Sequence, residues 1–357
     1  MVKISIIGTV GIPAKYGGFE TLVEYLTKNL SDDFQITVYC SSRAYKEKKT
    51  KYNGAYLKYI RLNANGVQSI FYDIISIFQS LRTSNTLLIL GVSGCIILPL
   101  IKLFSKKKII VNIDGLEWKR AKWGKFTKWF LKLSENIAVR NSDVIITDNK
   151  VLKDYVKDEY NVVSHLIAYG ADHVTKEIFD KTFLAKYPFA KNNYAFKVCR
   201  IEPENNIHII LEAFSSTPSI NIVLIGNWDN SEYGKKLKSK YLEFKNIFLL
   251  DPIYDQQVLN QIRSNCFIYI HGHSAGGTNP SLVEAMYLEL PIFAFAAMYN
   301  KETTQNKAKY FHTSIDLINL LNSLVEGELK IIGKNMKMIA KKEYTWSIIS
   351  KKYSQLF

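Results

Sequence analysis

Cysteine is scarce in this sequence. Four occur in 357 residues, Cys40, Cys95, Cys199 and Cys266, and no two share a C-x-x-C spacing. That argues against a disulfide framework and against a cysteine zinc site, and it fits a reducing compartment. No D-x-D triplet occurs either, so the short acidic motif that could hold a divalent ion on a nucleotide diphosphate is missing. His271 and His273 form an H-x-H, but no third ligand is evident, and no metal site is expected. Long apolar runs are also missing. The longest, Leu87 to Ile101, is broken by Gly91, Ser93, Gly94 and Pro99. It is too short and too interrupted to span a bilayer and reads as a strand, a glycine loop and a helix. Met1 to Gly8 reads as a strand, not as a secretory leader. These absences lead to the expectation of a cytoplasmic protein.

Acidic residues are in short supply: 47 Lys and Arg stand against 32 Asp and Glu, a formal charge of +15. Residues 1–170 hold 25 basic and 14 acidic residues, a net +11, and the remainder 22 and 18, a net +4. A charge excess confined to one half points to nucleic acid or to an anionic membrane face. Apolar residues make up 47% of the chain, enough for a core in each half, and the length suits two domains.

Strand-like and helix-like segments alternate along the chain. Val2 to Ile7, Gln35 to Cys40, Thr86 to Leu90, Lys108 to Asn112 and Val144 to Thr147 read as strands, with helices at Phe19 to Leu30, Tyr72 to Leu81 and Lys150 to Lys157 between them. The second half repeats the pattern with strands at Ala195 to Val198, Asn221 to Ile225, Ile247 to Leu250, Cys266 to Ile270 and Ile292 to Phe295, and helices at Ile207 to Phe214 and Ser281 to Leu288. Such alternation gives an α/β fold of two doubly wound parallel sheets, their boundary in 173–193. Ligands of such sheets sit beyond the carboxyl ends of the strands, so a cleft between the two domains is the expected site.

Five segments carry candidate chemistry. Gly8 to Glu20, GTVGIPAKYGGFE, follows the first strand and opens the first helix; Gly11, Gly17 and Gly18 would let backbone amides approach phosphate or sugar oxygens. It is neither G-x-G-x-x-G nor a P-loop, and a tight strand-to-helix turn explains it equally well. Gly272 to Glu284, GHSAGGTNPSLVE, again joins a strand to a helix. Ser281 and Glu284 have the spacing of an S-x-x-E capping box; alternatively Gly276, Gly277, Thr278 and Asn279 cradle a diphosphate while Glu284 holds ribose hydroxyls. Arg200, at the end of the second half's first strand, offers a planar fork of donors to a diphosphate. Asp114, beside Gly115 at a strand end, could orient an acceptor hydroxyl or take its proton, or simply cap a helix; Glu117 competes with it. Trp118 to Glu135, WKRAKWGKFTKWFLKLSE, mixes aromatics with lysines as an interfacial helix would, although the aromatics could equally face a core. No recognised nucleic-acid module is present.

GTVGIPAKYGGFET at 8–21, CRIEPENN at 199–206 and HGHSAGGTNPSLVEAM at 271–286, with YGAD at 169–172 and EYTWSIISKKY at 343–353, together resemble the bacterial capsule and O-antigen rhamnosyltransferases among the family 4 glycosyltransferases. The resemblance runs nearly end to end. It implies a GT-B fold of two Rossmann-like domains: an acceptor domain at 1–172, a nucleotide-sugar domain at 173–340, and a last helix at 341–357 returning to the first. It implies metal-independent transfer with retention of anomeric configuration, without a cofactor. It further implies dTDP-L-rhamnose as donor and a saccharide on undecaprenyl diphosphate as acceptor, at the inner face of the cytoplasmic membrane. Two departures stand out. Family 4 enzymes usually carry two glutamates with seven residues between them; the second matches Glu284, but Gly276 occupies the first position. A lysine usually lies five residues after the arginine matched by Arg200, and here it is Asn205. His273 and Asn279 are the candidates for contact with the departing sugar. A nucleotide-sugar 2-epimerase on the same architecture, and a non-enzymatic basic binding protein, remain the alternative readings.

Overall fold

The computed structural model describes residues 1–15, 17–113, 115–120 and 123–357. The chain divides into two compact units, residues 1–169 with 346–357, and residues 170–345.

The first unit is built on an eight-stranded sheet: β1 (Lys3–Ile7), β2 (Gln35–Ser41), β3 (Lys51–Tyr52), β4 (Ala55–Ile60), β5 (Thr86–Leu90), β6 (Lys108–Ile113), β7 (Val144–Thr147) and β8 (His165–Leu166), in the order β3-β4-β2-β1-β5-β6-β7-β8. Every pairing is parallel except the β3–β4 hairpin at the edge. Its inner strands are covered on both faces, and hence apolar at consecutive positions: Ile4, Ile6 and Ile7 of β1 and all of β5 are buried. The connecting helices are α1 (Gly18–Leu30), α2 (Gln68–Ser80), α3 (Leu98–Phe104), α4 (Lys125–Asn141) and α5 (Lys150–Tyr160). Right-handed crossovers put α2 to α5 on one face, because each of these connections moves along the sheet in the same direction. Tyr72 and Ile77 of α2, Leu98 and Ile101 of α3, and Ala138 and Val139 of α4 accordingly share one core with Ile7, Ile89 and Val111. The connection from β1 to β2 runs the other way, and α1 covers the opposite face.

The last helix of the chain, Trp346–Ser354, packs on α1. The Trp346 ring stacks on Tyr25 with centroids 4.5 Å apart. Asn29 Nδ2 donates to Ser350 Oγ over 3.0 Å, and the buried Asn112 amide donates to Tyr353 Oη over 2.6 Å. Trp346, Ile349 and Tyr353 are buried; at roughly 1.5–3 kcal/mol each, this segment contributes on the order of 5 kcal/mol to the first unit.

The second unit has a six-stranded, wholly parallel sheet: β9 (Tyr194–Val198), β10 (Asn221–Ile225), β11 (Ile247–Leu250), β12 (Ile268–His271), β13 (Ile292–Phe295) and β14 (Lys309–Phe311), ordered β11-β10-β9-β12-β13-β14. Around it lie α6 (Lys181–Lys186), α7 (Ile207–Ser215), α8 (Glu232–Tyr241), α9 (Gln256–Ser264), α10 (Pro280–Tyr287), α11 (Met298–Thr303), α12 (Ser314–Asn322) and α13 (Glu326–Glu343), before α14, the helix already described. Ile207, Ile210 and Phe214 of α7 and Leu317 and Leu321 of α12 pack on Ile222, Leu224, Ile268 and Ile270.

The expected strand at Cys266 to Ile270 instead starts at Ile268 and ends at His271. Cys266 is buried before it, where Phe267 N already donates to Tyr194 O. The β3–β4 hairpin was not anticipated, since the sequence pattern pointed to parallel strands throughout. No helix among the described residues is long and apolar enough to cross a membrane.

Candidate functional site

Strand order alone nominates two loops in each unit. Chain direction along an open parallel sheet reverses between β1 and β5 in the first unit and between β9 and β12 in the second. At such a switch point the loops leaving adjacent strands diverge to opposite faces and leave a crevice at the carboxyl ends.

In the first unit the loop after β1 begins at Gly8, and α1 opens with Gly17 as the N-cap and Gly18 as its first residue. Carboxylates of α1 tie it down: Val10 N donates to Glu20 Oε1 over 3.2 Å and Ala14 N to Glu24 Oε2 over 2.5 Å. Tyr72 Oη holds the Thr9 carbonyl and Tyr45 Oη the Pro13 carbonyl, both at 2.9 Å. Gly11 sits at φ +130°, and a Cβ there would strike Cys40 Sγ at 2.7 Å. Close packing therefore gives Gly11 a steric role in shaping this loop. Asp114 lies outside the described residues. Its sequence rival, Glu117, is engaged by Arg120 at 2.9 Å and by the Trp123 indole N–H at 3.4 Å.

In the second unit the loops after β9 and β12 are sewn together. Asn206 Nδ2 donates to the Gly272 carbonyl over 2.8 Å, and Ser274 N and Oγ both donate to the Glu204 carbonyl, at 2.9 and 3.0 Å. Asn205 links two residues: its Nδ2 donates to the Arg200 carbonyl over 2.9 Å, and its Oδ1 lies 3.2 Å from His273 Nδ1. Arg200, His273 and the glycine-rich turn thus belong to one assembly. The Arg200 side chain is 49% exposed, with Glu202 beside Nε at 4.0 Å, so its guanidinium is available to a ligand. Gly276 takes φ +114°, and a Cβ there would come 3.1 Å from His273 Nε2. Gly277 and Thr278 are buried beneath the turn.

The entry into α10 differs from the capping box expected from the sequence. Asn279, not Ser281, is the N-cap and accepts from Ser281 N over 3.0 Å; Pro280 takes the first helical position, where it forfeits no hydrogen bond. Ser281 Oγ donates to Asn279 Oδ1 over 2.8 Å, and Tyr269 Oη lies 2.9 Å from that same hydroxyl. Glu284 therefore falls in the second turn and does no capping. Its Oε1 lies 3.1 Å from His173 Nε2, and its Oε2 pairs with Arg263 Nη1. Arg263 is 1% exposed and also donates from Nη2 to Asn260 Oδ1 over 3.0 Å. Burial alone would raise the Glu284 pKa, but the Arg263 guanidinium and His173 outweigh it and hold it at about 2. The result is a fixed carboxylate, 15% exposed on its side chain, whose oxygens keep spare lone pairs for a hydroxyl. His271, buried at the end of β12, has no hydrogen-bond partner on either ring nitrogen among the described residues. Burial first, then Lys197 and His273, push it well below the ordinary histidine value, so it is neutral.

Arg263, His173 and Asn205 were not singled out as site residues by the sequence. Arg263 and Glu284 lie on different helices, and nothing in local spacing links them. Among the described residues no group of three or more His, Cys, Asp or Glu side chains gathers in a way that could hold a metal ion.

Comparison with known proteins follows the same division of the chain. Residues 1–172 match a domain of unknown function, DUF1972, and residues 180–343 match the glycosyl transferases group 1 family. The chain is a glycosyltransferase, its residues 180–343 a domain of the group 1 family. An uncharacterized glycosyltransferase of Methanocaldococcus jannaschii is 23% identical over 96% of this chain and 94% of its own length. Among solved structures, sucrose-phosphate synthase from Thermosynechococcus elongatus superposes with a TM-score of 0.82 at 14% identity, covering 100% of this chain and 98% of that one. Anabaena HepE in complex with UDP gives 0.76 at 14% identity, with 99% of both chains covered; HepE has also been solved with UDP-glucose. At these identities the structures establish the fold of this glycosyltransferase: two Rossmann-like α/β domains of the GT-B type.

Proposed function

We propose that this glycosyltransferase moves a sugar from a nucleoside diphosphate donor to a saccharide acceptor, the donor being held by the second unit. The observation that carries the reading is the assembly around α10, where a glycine turn, an exposed guanidinium and a fixed carboxylate gather at the switch point of a parallel sheet. Arg200 and the backbone of Gly276 to Ser281 would hold the diphosphate, helped by the positive end of α10. Glu284 would accept hydrogen bonds from the ribose or deoxyribose, with Arg263 and His173 keeping it ionised and oriented. His273 and Asn279 would face the departing sugar; in the first unit, the backbone of Gly11, Gly17 and Gly18 would be open to sugar or phosphate oxygens.

The reading is of transfer with retention and without a metal ion. The bond from the anomeric carbon to the β-phosphate oxygen breaks, and the bond to the acceptor oxygen forms on the same face. The acceptor hydroxyl proton passes to the departing phosphate oxygen, so nucleoside diphosphate and glycoside are the products. Asp114 would position the acceptor. The motifs at 8–21, 199–206 and 271–286 favour dTDP-L-rhamnose as donor and a lipid-linked saccharide of the undecaprenyl diphosphate type as acceptor. A lipid-linked acceptor would bring the enzyme to the inner face of the cytoplasmic membrane, with capsule or O-antigen polysaccharide as the end product.

The test is a panel of nucleotide sugars offered with lipid-linked glucose and N-acetylglucosamine, with products read by mass and linkage. Transfer of rhamnose from the dTDP donor supports the full reading. Transfer of another sugar corrects the donor. An isomerised nucleotide sugar formed without acceptor would make the protein an epimerase.

A further inference from the structure

Glycosyltransferases can take soluble or lipid-linked acceptors, and the surface of the first unit bears on which. The outer faces of α2, α3 and α4 are unusually apolar. On α2, Phe71, Ile75 and Phe78 follow one another at helical spacing on the side opposite buried Tyr72, Ser76 and Ile77; Phe71 is 59% exposed. On α3, Leu103 and Phe104 are exposed, the latter at 78%. On α4, Phe126, Trp129 and Leu133 form a stripe opposite buried Leu131, Glu135 and Ala138, with Phe126 at 76% and Trp129 at 59%. These helices cover the same face of the sheet through a single core, and α3 packs directly on α4. Their outer stripes therefore belong to one surface.

The direction of the α4 stripe is fixed from beneath. The fully buried Glu135 carboxylate accepts from the Trp118 indole at 3.1 Å, Tyr155 Oη at 2.6 Å and Tyr160 Oη at 2.5 Å. Trp118 is thereby used as an inner anchor, which narrows the interfacial segment expected from the sequence to Phe126, Trp129 and Leu133. Cations surround the stripes. By sequence, residues 98–133 contain ten Lys and Arg against two acidic residues; Lys102, Arg120 and Lys132 pair with Asp143, Glu117 and Glu159, while Arg82, Lys106 and Lys125 are exposed at the ends of α2, α3 and α4.

We propose that α2, α3 and α4 together form a docking face for an anionic lipid bilayer, the aromatic and aliphatic stripes entering the interface while the flanking lysines and arginines meet the headgroups. A second copy of this chain would have to bring an equally cationic face against this one, and like charge opposes that contact. Aromatic side chains ringed by basic residues are what an anionic interface selects. This proposal rests on the lipid-linked acceptor reading above, and the test separates the two.

Full-length protein is sedimented with phosphatidylcholine vesicles, with and without phosphatidylglycerol, and its oligomeric state is measured by analytical ultracentrifugation. Transfer to a water-soluble acceptor is assayed in parallel. Binding should require phosphatidylglycerol and weaken with salt, losing about fivefold for each of Arg82, Lys106 and Lys125 changed to Ser. The pairs Phe71→Ser with Phe78→Ser, Leu103→Ser with Phe104→Ser, and Phe126→Ser with Trp129→Ser should each lower partitioning about tenfold or more. Activity on the soluble acceptor and the thermal midpoint should stay unchanged. Equal binding to neutral vesicles would overturn the electrostatic part, and unchanged partitioning in the α2 and α3 variants would overturn the three-helix face. A wild-type dimer dispersed by these substitutions would make the face a self-association surface. Loss of soluble-acceptor transfer in the wild type would strike the transferase reading and leave the vesicle result standing.

Discussion

Replacing Arg263 by methionine should test how Glu284 is held. The guanidinium is buried and pairs with a carboxylate whose pKa lies at about 2, against an ordinary 4.5. That difference corresponds to about 3 kcal/mol of preferential stabilisation of the ionised form. Removing one member of a buried pair leaves the other without its counter-charge, a loss of about 3–5 kcal/mol. For a unit of this size, each kcal/mol lowers Tm by roughly 2–4 °C, so Arg263→Met should melt about 10 °C lower. The double variant Arg263→Met, Glu284→Leu should recover more than half of that, because no unpaired charge then remains. The sign of the pH dependence follows. A carboxylate depressed in the folded state gives its full contribution above 4.5 and loses it as pH falls towards 2. Wild-type stability should decline through that window, and the part of the decline due to this pair should vanish in the double variant. Thermal melts from pH 7 downward, on all three proteins, provide the measurement. A single variant within about 0.5 kcal/mol of wild type, or a double variant no better than the single, would refute the pairing.

Arg200→Ala should raise the donor KM about tenfold or more, the worth of a charge-assisted hydrogen bond, without moving Tm, since the side chain makes little contact within the fold; donor saturation kinetics will show it. Gly276→Val should lower kcat/KM at least about tenfold, because a branched residue at φ +114° is strained by about 1–3 kcal/mol and crowds His273. Glu135→Leu should lower the stability of the first unit by about 3 kcal/mol or more, measured by urea denaturation, since the Trp118 indole, the Tyr155 and Tyr160 hydroxyls and the Lys132 ammonium lose their common acceptor.

Much of the fold was legible because parallel strands covered on both faces must be apolar at nearly every position, and β1, β5, β6 and β10 advertise this plainly. The β3–β4 hairpin was hidden because Lys51 and Lys58 interrupt short edge segments. The two glycine turns were visible as turns from their place between strand and helix. The start of α10 was misread for a physical reason. Ser281 and Glu284 have capping-box spacing, but Asn279 followed by Pro280 makes the stronger helix start, because proline suits only the first turn and asparagine caps well. The Arg263–Glu284–His173 cluster had no linear signature. Its members lie on α9, on α10 and in the segment after the first unit, and only the tertiary fold brings them together. The α4 stripe was visible from its aromatics and lysines, whereas α2 and α3 read simply as helices, and the exposure of their outer apolar residues shows only in the fold.

The ownership of α14 has a practical consequence for recombination. Residues 346–357 belong with residues 1–169, so the backbone leaves the first unit and later comes home to it. A chimera that imports a foreign front half while keeping the native tail would seat Trp346 and Tyr353 on surfaces that never evolved to receive them. Successful grafts need two junctions, near 169 and 345, so that the tail travels with its own partner.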